Sequence, residues 1–163
     1  MKAHLYFLVL LSLAIFLCPH TSCGAQDVST DSADQKALAA LVRELDSAYN
    51  VQDAGRFSAI FEEDANFQFS LEGLTLHGRD EIRQHFGKQF ATLPPMRHVT
   101  ITGTTDAITP DILAVDIQVD IWGVDRKTGL AQTLLFHYNG LGIGIRTDSG
   151  WRIRLVRLYR TAK

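Results

Sequence analysis

Leu130-Ala-Gln-Thr-Leu-Leu-Phe-His-Tyr-Asn-Gly-Leu-Gly-Ile-Gly-Ile145 is the stretch on which the fold turns. It holds no charge and no proline, so nothing interrupts an extended chain far longer than the usual strand of about 5 to 6 residues. A strand of that length has to bend, and Gly140, Gly142 and Gly144 are where a bend or bulge costs least. Turn signals close it on both sides, at residues 125–129 and at Thr147-Asp148-Ser149-Gly150. Strand-like segments flank those turns at residues 112–122 and 151–159, and a further one lies upstream at 98–105, across Thr109-Pro110-Asp111. Three hairpins in succession predict a curved antiparallel meander.

Upstream of the meander the periodicity changes. Ser32-Ala-Asp-Gln35 is a capping-box pattern, and Leu38, Leu41, Val42, Leu45 and Tyr49 then recur at helical spacing. Asp53 is placed to cap a second, short helix whose buried side is Phe57, Ile60 and Phe61. Residues 65–70 and 74–77 read as a short hairpin across Glu72-Gly73. A third helix is predicted over 78–90 through Ile82, Phe86 and Phe90, and Pro94-Pro95 prevents its continuation. Helices first and a long curved sheet last predict an α+β domain whose N-terminal helices cover the concave sheet face around a cone-shaped cavity.

The chain has 163 residues, 46% of them hydrophobic, with 16 Lys+Arg against 18 Asp+Glu. That balance excludes a disordered tail and, without a basic footprint, argues against nucleic acid as a partner. Residues 5–17 form an apolar run without charge, too short for the about 20 residues of a membrane span. With Lys2 before it and small residues after it, the run reads as a signal peptide over residues 1–25, leaving one domain over 26–163 with its core at 32–159. A secreted or periplasmic product is expected; Cys23 would give a lipid-anchored, membrane-bound form, but His20 stands where that signal favours leucine. Both cysteines, Cys18 and Cys23, lie in the leader. The domain is thereby expected to have no disulfide framework, thiol nucleophile or thiolate metal site.

Tyr49-Asn-Val-Gln-Asp53, Phe61-Glu-Glu-Asp-Ala-Asn-Phe67, His77-Gly-Arg-Asp-Glu-Ile82, Arg97-His-Val-Thr-Ile101, Ile112-Leu-Ala-Val115 and Gly150-Trp-Arg-Ile153 occur in this order. The series resembles nuclear transport factor 2-like proteins, and within them the SnoaL-like branch. The resemblance implies a cone-shaped fold, pairing of copies through the outer sheet face, and a pocket that serves enzymes in some members and association in others. Ketosteroid isomerases of this fold are similar around residues 50–53, but their tyrosine, aspartate base and second acid fall at Leu45, Phe69 and near Leu141 here. The epoxide hydrolases need an Asp-Arg-Asp cluster, for which Asp116, Asp120, Arg154 and Arg157 are the raw material. The histidine common in SnoaL-like proteins matches His98, while the asparagine that often follows it four residues later is Thr102 here.

Strand parity places the remaining candidates. Over 112–122 the odd positions are apolar, so Asp116, Gln118 and Asp120 are expected outside. In the next strand His137 and Asn139 share a row with Leu135, Leu141, Ile143 and Ile145 and are expected to enter the cavity. Leu134, Phe136 and Tyr138 then need a second cover, which a homodimer through the outer sheet face supplies. His98 and His137 are the candidate catalytic residues, because an imidazole exchanges protons near neutral pH; a core histidine with satisfied hydrogen bonds is the plainer account of each. Phe67, Phe69, Trp122, Asn139, Arg157 and Tyr159 are the candidate ligand-binding residues, with core packing the alternative for the aromatics. His85, beside Ile82 and Phe86, reads as a surface histidine, and His77 as a structural one. No histidine spacing matches a zinc motif and no cofactor signature is present, so neither is expected. These readings give a pocket for a small apolar molecule, with isomerisation, cyclisation or dehydration as its chemistry, or a non-catalytic binding or homo-association module.

Overall fold

The computed structural model describes residues 32–70, 72–125 and 127–160. The expected leader, its cleavage site and both cysteines lie outside the described residues. Helix α1 (Ser32–Asn50) and helix α2 (Ala54–Ala59) precede strands β1 (Phe61–Phe69) and β2 (Leu74–His77). Helix α3 (Gly78–Thr92) follows, then strands β3 (Met96–Thr109), β4 (Ile112–Val124), β5 (Ala131–Thr147) and β6 (Gly150–Arg160). Asp53 caps α2 as expected, its carboxylate accepting from the Arg56 amide at 2.9 Å. The short helix ends at Ala59, so Phe61 is the first residue of β1 and not part of the helix's buried side.

The strands form one six-stranded sheet in the order β2-β1-β6-β5-β4-β3. The β3 to β6 meander is antiparallel throughout, and β1 joins it parallel to β6. An α+β domain with N-terminal helices on a curved, mainly antiparallel sheet is the result. The turn before β5 is built by Asp125, whose carboxylate accepts from the Lys127 amide at 2.9 Å and the Thr128 amide at 2.8 Å.

Register fixes which side chains face the helices. Opposite residues in an antiparallel pair share a face. Val115 pairs with Gly142, Ile117 with Gly140, Val119 with Tyr138 and Ile121 with Phe136. Residues 115, 117, 119 and 121 of β4 therefore share the concave face with Phe136, Tyr138, Gly140 and Gly142. Val156 and Leu158 of β6 continue this face, and Phe67 and Phe69 pair with them from β1. The core forms here: Phe57, Phe61, Phe67, Ile82, Phe86, Val119, Tyr138, Val156 and Leu158 are all buried. The phenol ring of Tyr49 meets Phe57, Phe86 and Phe90 edge-on at 6.0, 6.2 and 5.1 Å.

The other end of α1 is held by polar contacts. Arg146 donates to both oxygens of Asp34 at 2.7 and 2.8 Å, and the Trp151 indole donates to the same carboxylate at 3.2 Å. Much of the basic character near the C-terminus is engaged this way: Arg154 pairs with Asp64, and Arg157 donates to Gln68 at 2.7 Å.

The irregularities of β5 do not fall at Gly140 or Gly142, whose pairing with β4 is regular. One shift lies between the pairs Ile121↔Phe136 and Trp122↔Leu134, leaving Leu135 as an extra residue. A second lies between the pairs Gly123↔Thr133 and Val124↔Ala131, and a third adjoins Gly144, opposite Arg154 on β6.

Candidate functional site

A cavity of about 530 Å³ lies between α1, α3 and the concave sheet face. Leu41, Val42 and Leu45 line it from α1, Phe67 and Phe69 from β1, and Val115, Ile117 and Val119 from β4. Two of the three β5 glycines, Gly142 and Gly144, also line it, and the missing side chains leave room where the strand crosses the floor. Volume and apolar lining suit a small organic molecule.

His98 projects into this cavity from β3 and is only 7% exposed. Register places it on the concave face, opposite Ile121. Its Nδ1 lies 2.8 Å from Oδ1 of Asp46, on α1. The same carboxylate accepts from the Thr100 hydroxyl at 2.7 Å and, through Oδ2, from the Thr100 amide at 3.0 Å. One turn along α1, Asn50 accepts from the His98 amide at 2.6 Å and donates to its carbonyl at 3.1 Å. Tyr49 lies against the imidazole with ring centroids 4.5 Å apart. Since Asp46 and Asn50 are four residues apart on one helix face, α1 grips β3 with both.

The donors around Asp46 fix the tautomer. A carboxylate that already takes two donors from Thr100 accepts the Nδ1 proton, leaving the Nε2 lone pair free. No described side-chain nitrogen or oxygen is buried without a hydrogen-bond partner, and Nε2 makes no such bond, so it opens onto the cavity. Asp46 was not singled out from the sequence. Its signal was an Asp–Asn pair at i, i+4 on the edge of the Leu45–Tyr49 apolar stripe.

Tyr49 and His85 also line the cavity. Burial pushes the Tyr49 phenol up to about 12, with Tyr138 adding to the effect, so Tyr49 stays a neutral hydrogen-bond donor through the physiological range. His85 of α3 is partly exposed, as expected, and also lies in the cavity lining. Burial, then the charge of Lys88, hold its imidazole below the ordinary value of 6.5.

The other sequence candidates sit elsewhere. Phe67 and Phe69 line the cavity with His98, but His137 and Asn139 face the outer side of the sheet, opposite Asp120 and Gln118. There His137 Nδ1 lies 2.6 Å from Asp120 and Nε2 lies 3.1 Å from the Gln118 amide nitrogen. An imidazole protonated on Nδ1 satisfies both contacts. Trp122 is outside beside Arg97 and Val99, Tyr159 pairs with Asn139, and Arg157 is opposite Leu141. The expected entry of the His137 row into the cavity is thus corrected, and the row carrying Phe136 and Tyr138 is the one that enters. Asp116 and Asp120 lie outside, as their parity predicts, so they and the paired Arg154 and Arg157 build no Asp-Arg-Asp cluster in the cavity.

Comparisons with known proteins agree with this architecture. No curated protein matches the chain. A cystatin-like domain of unknown function from Nostoc punctiforme superimposes with a TM-score of 0.70 at 22% identity, covering 82% of this chain and 81% of its own. A protein of unknown function from Mycobacterium tuberculosis gives a TM-score of 0.71 at 20% identity, covering 82% and 79%. An NTF2-like protein with a cystatin-like fold from Novosphingobium aromaticivorans gives 0.66 at 17% identity, covering 78% and 82%. At these identities the likeness is one of fold. The sequence profile of the SnoaL-like domain matches residues 42–163, most of the length, and the chain belongs to that family.

Proposed function

We propose that the protein is an exported enzyme that binds a small apolar molecule in the cavity and moves a proton on it, with His98 as general base. One observation carries this reading: an imidazole whose Nδ1 is held by Asp46 presents Nε2 to a largely apolar cavity. In a proton-transfer step Nε2 takes a proton from a carbon or hydroxyl beside a substrate carbonyl, and Asp46 stabilises the imidazolium that forms. Returning the proton to another carbon gives isomerisation; attack of the resulting carbanion on a second carbonyl of the substrate, whose oxygen then takes the proton, gives cyclisation; returning the proton to a departing hydroxyl gives dehydration as water. Tyr49 and His85, both neutral, are placed to donate hydrogen bonds, and Phe67 and Phe69 form apolar walls. Export rests on the apolar run at residues 5–17.

Native mass spectrometry of the protein purified from its exported fraction tests the reading. An apolar compound of a few hundred daltons is expected at one per chain, lost from His98→Leu while the melting temperature stays within a few degrees. A ligand retained equally by the folded variant would remove His98 from the site and leave a binding module.

The outer sheet face supports a second property, pairing of two copies. Ile101, Leu134 and Tyr159 are 48%, 41% and 41% exposed there, beside half-buried Leu141, Ile143 and Leu155. Light scattering is expected to give a dimer at micromolar concentration, with Ile101→Glu shifting it toward monomer. A monomer at every concentration tested would refute the pairing.

A further inference from the structure

Helix α3 presents two different stripes. Ile82, Phe86 and Phe90 recur every four residues and pack into the core. His85, Lys88, Gln89 and Thr92 form the neighbouring stripe, at spacings of three and four, and all four line the cavity. Lys88 and Thr92 are exposed, as are Glu72, Leu93 and Phe136 in the same lining, so these five mark its mouth. Among the described lining residues Lys88 is the single lysine or arginine, and no ion pair within 4 Å engages it. The remaining polar groups beside it have partners: the Thr92 hydroxyl donates to the Lys88 carbonyl at 3.0 Å, and Gln89 donates to Tyr49 at 3.5 Å. Glu72, the one carboxylate among the described lining residues, receives the Tyr138 hydroxyl at 3.5 Å and makes no ion pair with Lys88.

A largely apolar cavity with one unengaged ammonium at its mouth among the described residues is built for a molecule with an apolar body and an acidic end. We infer that the natural ligand is an apolar monocarboxylate, its body in the cavity and its carboxylate on Lys88. This names the substrate class of the pocket proposed above and rests on that reading. Burial favours the body, and the charge at the rim selects the end that stays near water. The carboxylate of Glu72 acts in the same direction on specificity, because a second negative charge on the ligand would be repelled there.

The test uses N-phenyl-1-naphthylamine, an uncharged dye that fluoresces in apolar surroundings, displaced by dodecanoate or by dodecanol. The two competitors share a tail and differ in the head. At low ionic strength dodecanoate is expected to displace the dye at about twofold to fivefold lower concentration than dodecanol, the scale of one exposed ion pair. Lys88→Met is expected to bring the two together and Lys88→Glu to reverse their order, each displacement being read against the dye affinity of the same variant. Equal displacement by acid and alcohol in the wild-type protein would overturn the inference while leaving the apolar pocket intact. A preference that survives Lys88→Met would overturn the assignment to Lys88. Failure of the dye to bind at all would overturn the pocket and the inference together.

Discussion

Asp46→Asn is expected to leave the protein folded and to cost about 10²- to 10⁴-fold in turnover, by changing where one proton sits. In the wild-type site Asp46 accepts from the Thr100 amide and hydroxyl and from His98 Nδ1. An asparagine has one oxygen, and the rigid backbone amide of Thr100 has the stronger claim on it. The new NH₂ group then faces His98 and donates to Nδ1, which forces the imidazole proton onto Nε2. The cavity meets a donor where it had a base, a loss of the size found when the orienting acid of a catalytic histidine is replaced by its amide. Asp46→Ala is a different perturbation, because it leaves the Thr100 amide without its partner, at about 1–3 kcal/mol. Nitrogen NMR of the His98 ring checks the argument independently of any substrate. Nε2 should be the unprotonated nitrogen in the wild type and the protonated one in Asp46→Asn. Nε2 unprotonated in both would defeat the assigned role of Asp46.

The histidine in this pair was legible in the sequence and its partner was not. His98 lies near the start of a strand and within the Arg97–Ile101 resemblance motif, at the position where a histidine is common, so it could be named as a candidate. Asp46 comes from a helix 52 residues away in sequence. Only packing of α1 onto β3 brings them together, and helical periodicity marks Asp46 merely as the residue beside the apolar stripe. His85 was missed as a lining residue for a related reason: on α3 it borders the core stripe, and the cavity as well as solvent lies beyond that border.

His137 shows how a single backbone feature inverts a sound local reading. Gly123 pairs with Thr133 and Trp122 with Leu134. Continued without interruption, that register would set Val119 against His137 and Ile117 against Asn139, on the concave face. The extra residue at Leu135 shifts the pairing by one, so Val119 meets Tyr138 and the histidine turns outward. The composition of the rows reinforced the error. Leu141, Ile143 and Ile145 look like a buried face, whereas the truly inward row contains glycines, which carry no apolar signal. The order of elements, the meander and the helical cover were legible because each rests on a long periodic segment bounded by turn chemistry. A one-residue bulge has no comparable signature.

Those glycines make the second large prediction, in which two sites two residues apart give opposite results. A Cβ on Gly140 would lie 2.4 Å from the Arg157 carbonyl oxygen and 2.8 Å from the Leu158 side chain. The obstacle is the backbone of β6, a central strand between β1 and β5, so relief requires parting strands that the whole sheet depends on. Gly140→Ala is expected to destabilise by about 3 kcal/mol or more, near the upper end of overpacking costs, and to lower the melting temperature by roughly 10 °C. A Cβ on Gly142 meets nothing closer than 3.8 Å, from Ile117 and the Val115 carbonyl, and points into the cavity. Gly142→Leu is therefore expected to keep the fold, at a cost under about 1 kcal/mol, because lost backbone freedom in the unfolded chain and newly buried apolar surface both offset the strain. The new side chain occupies the space that a ligand needs, so binding of an apolar dye should fall at least tenfold. Thermal melting and dye titration on the same two samples decide the matter. A Gly142→Leu variant that binds the dye as well as the wild type would mean that the ligand space lies away from the floor of β5, and a Gly140→Ala variant of normal stability would mean that β5 and β6 can separate more easily than their close approach implies.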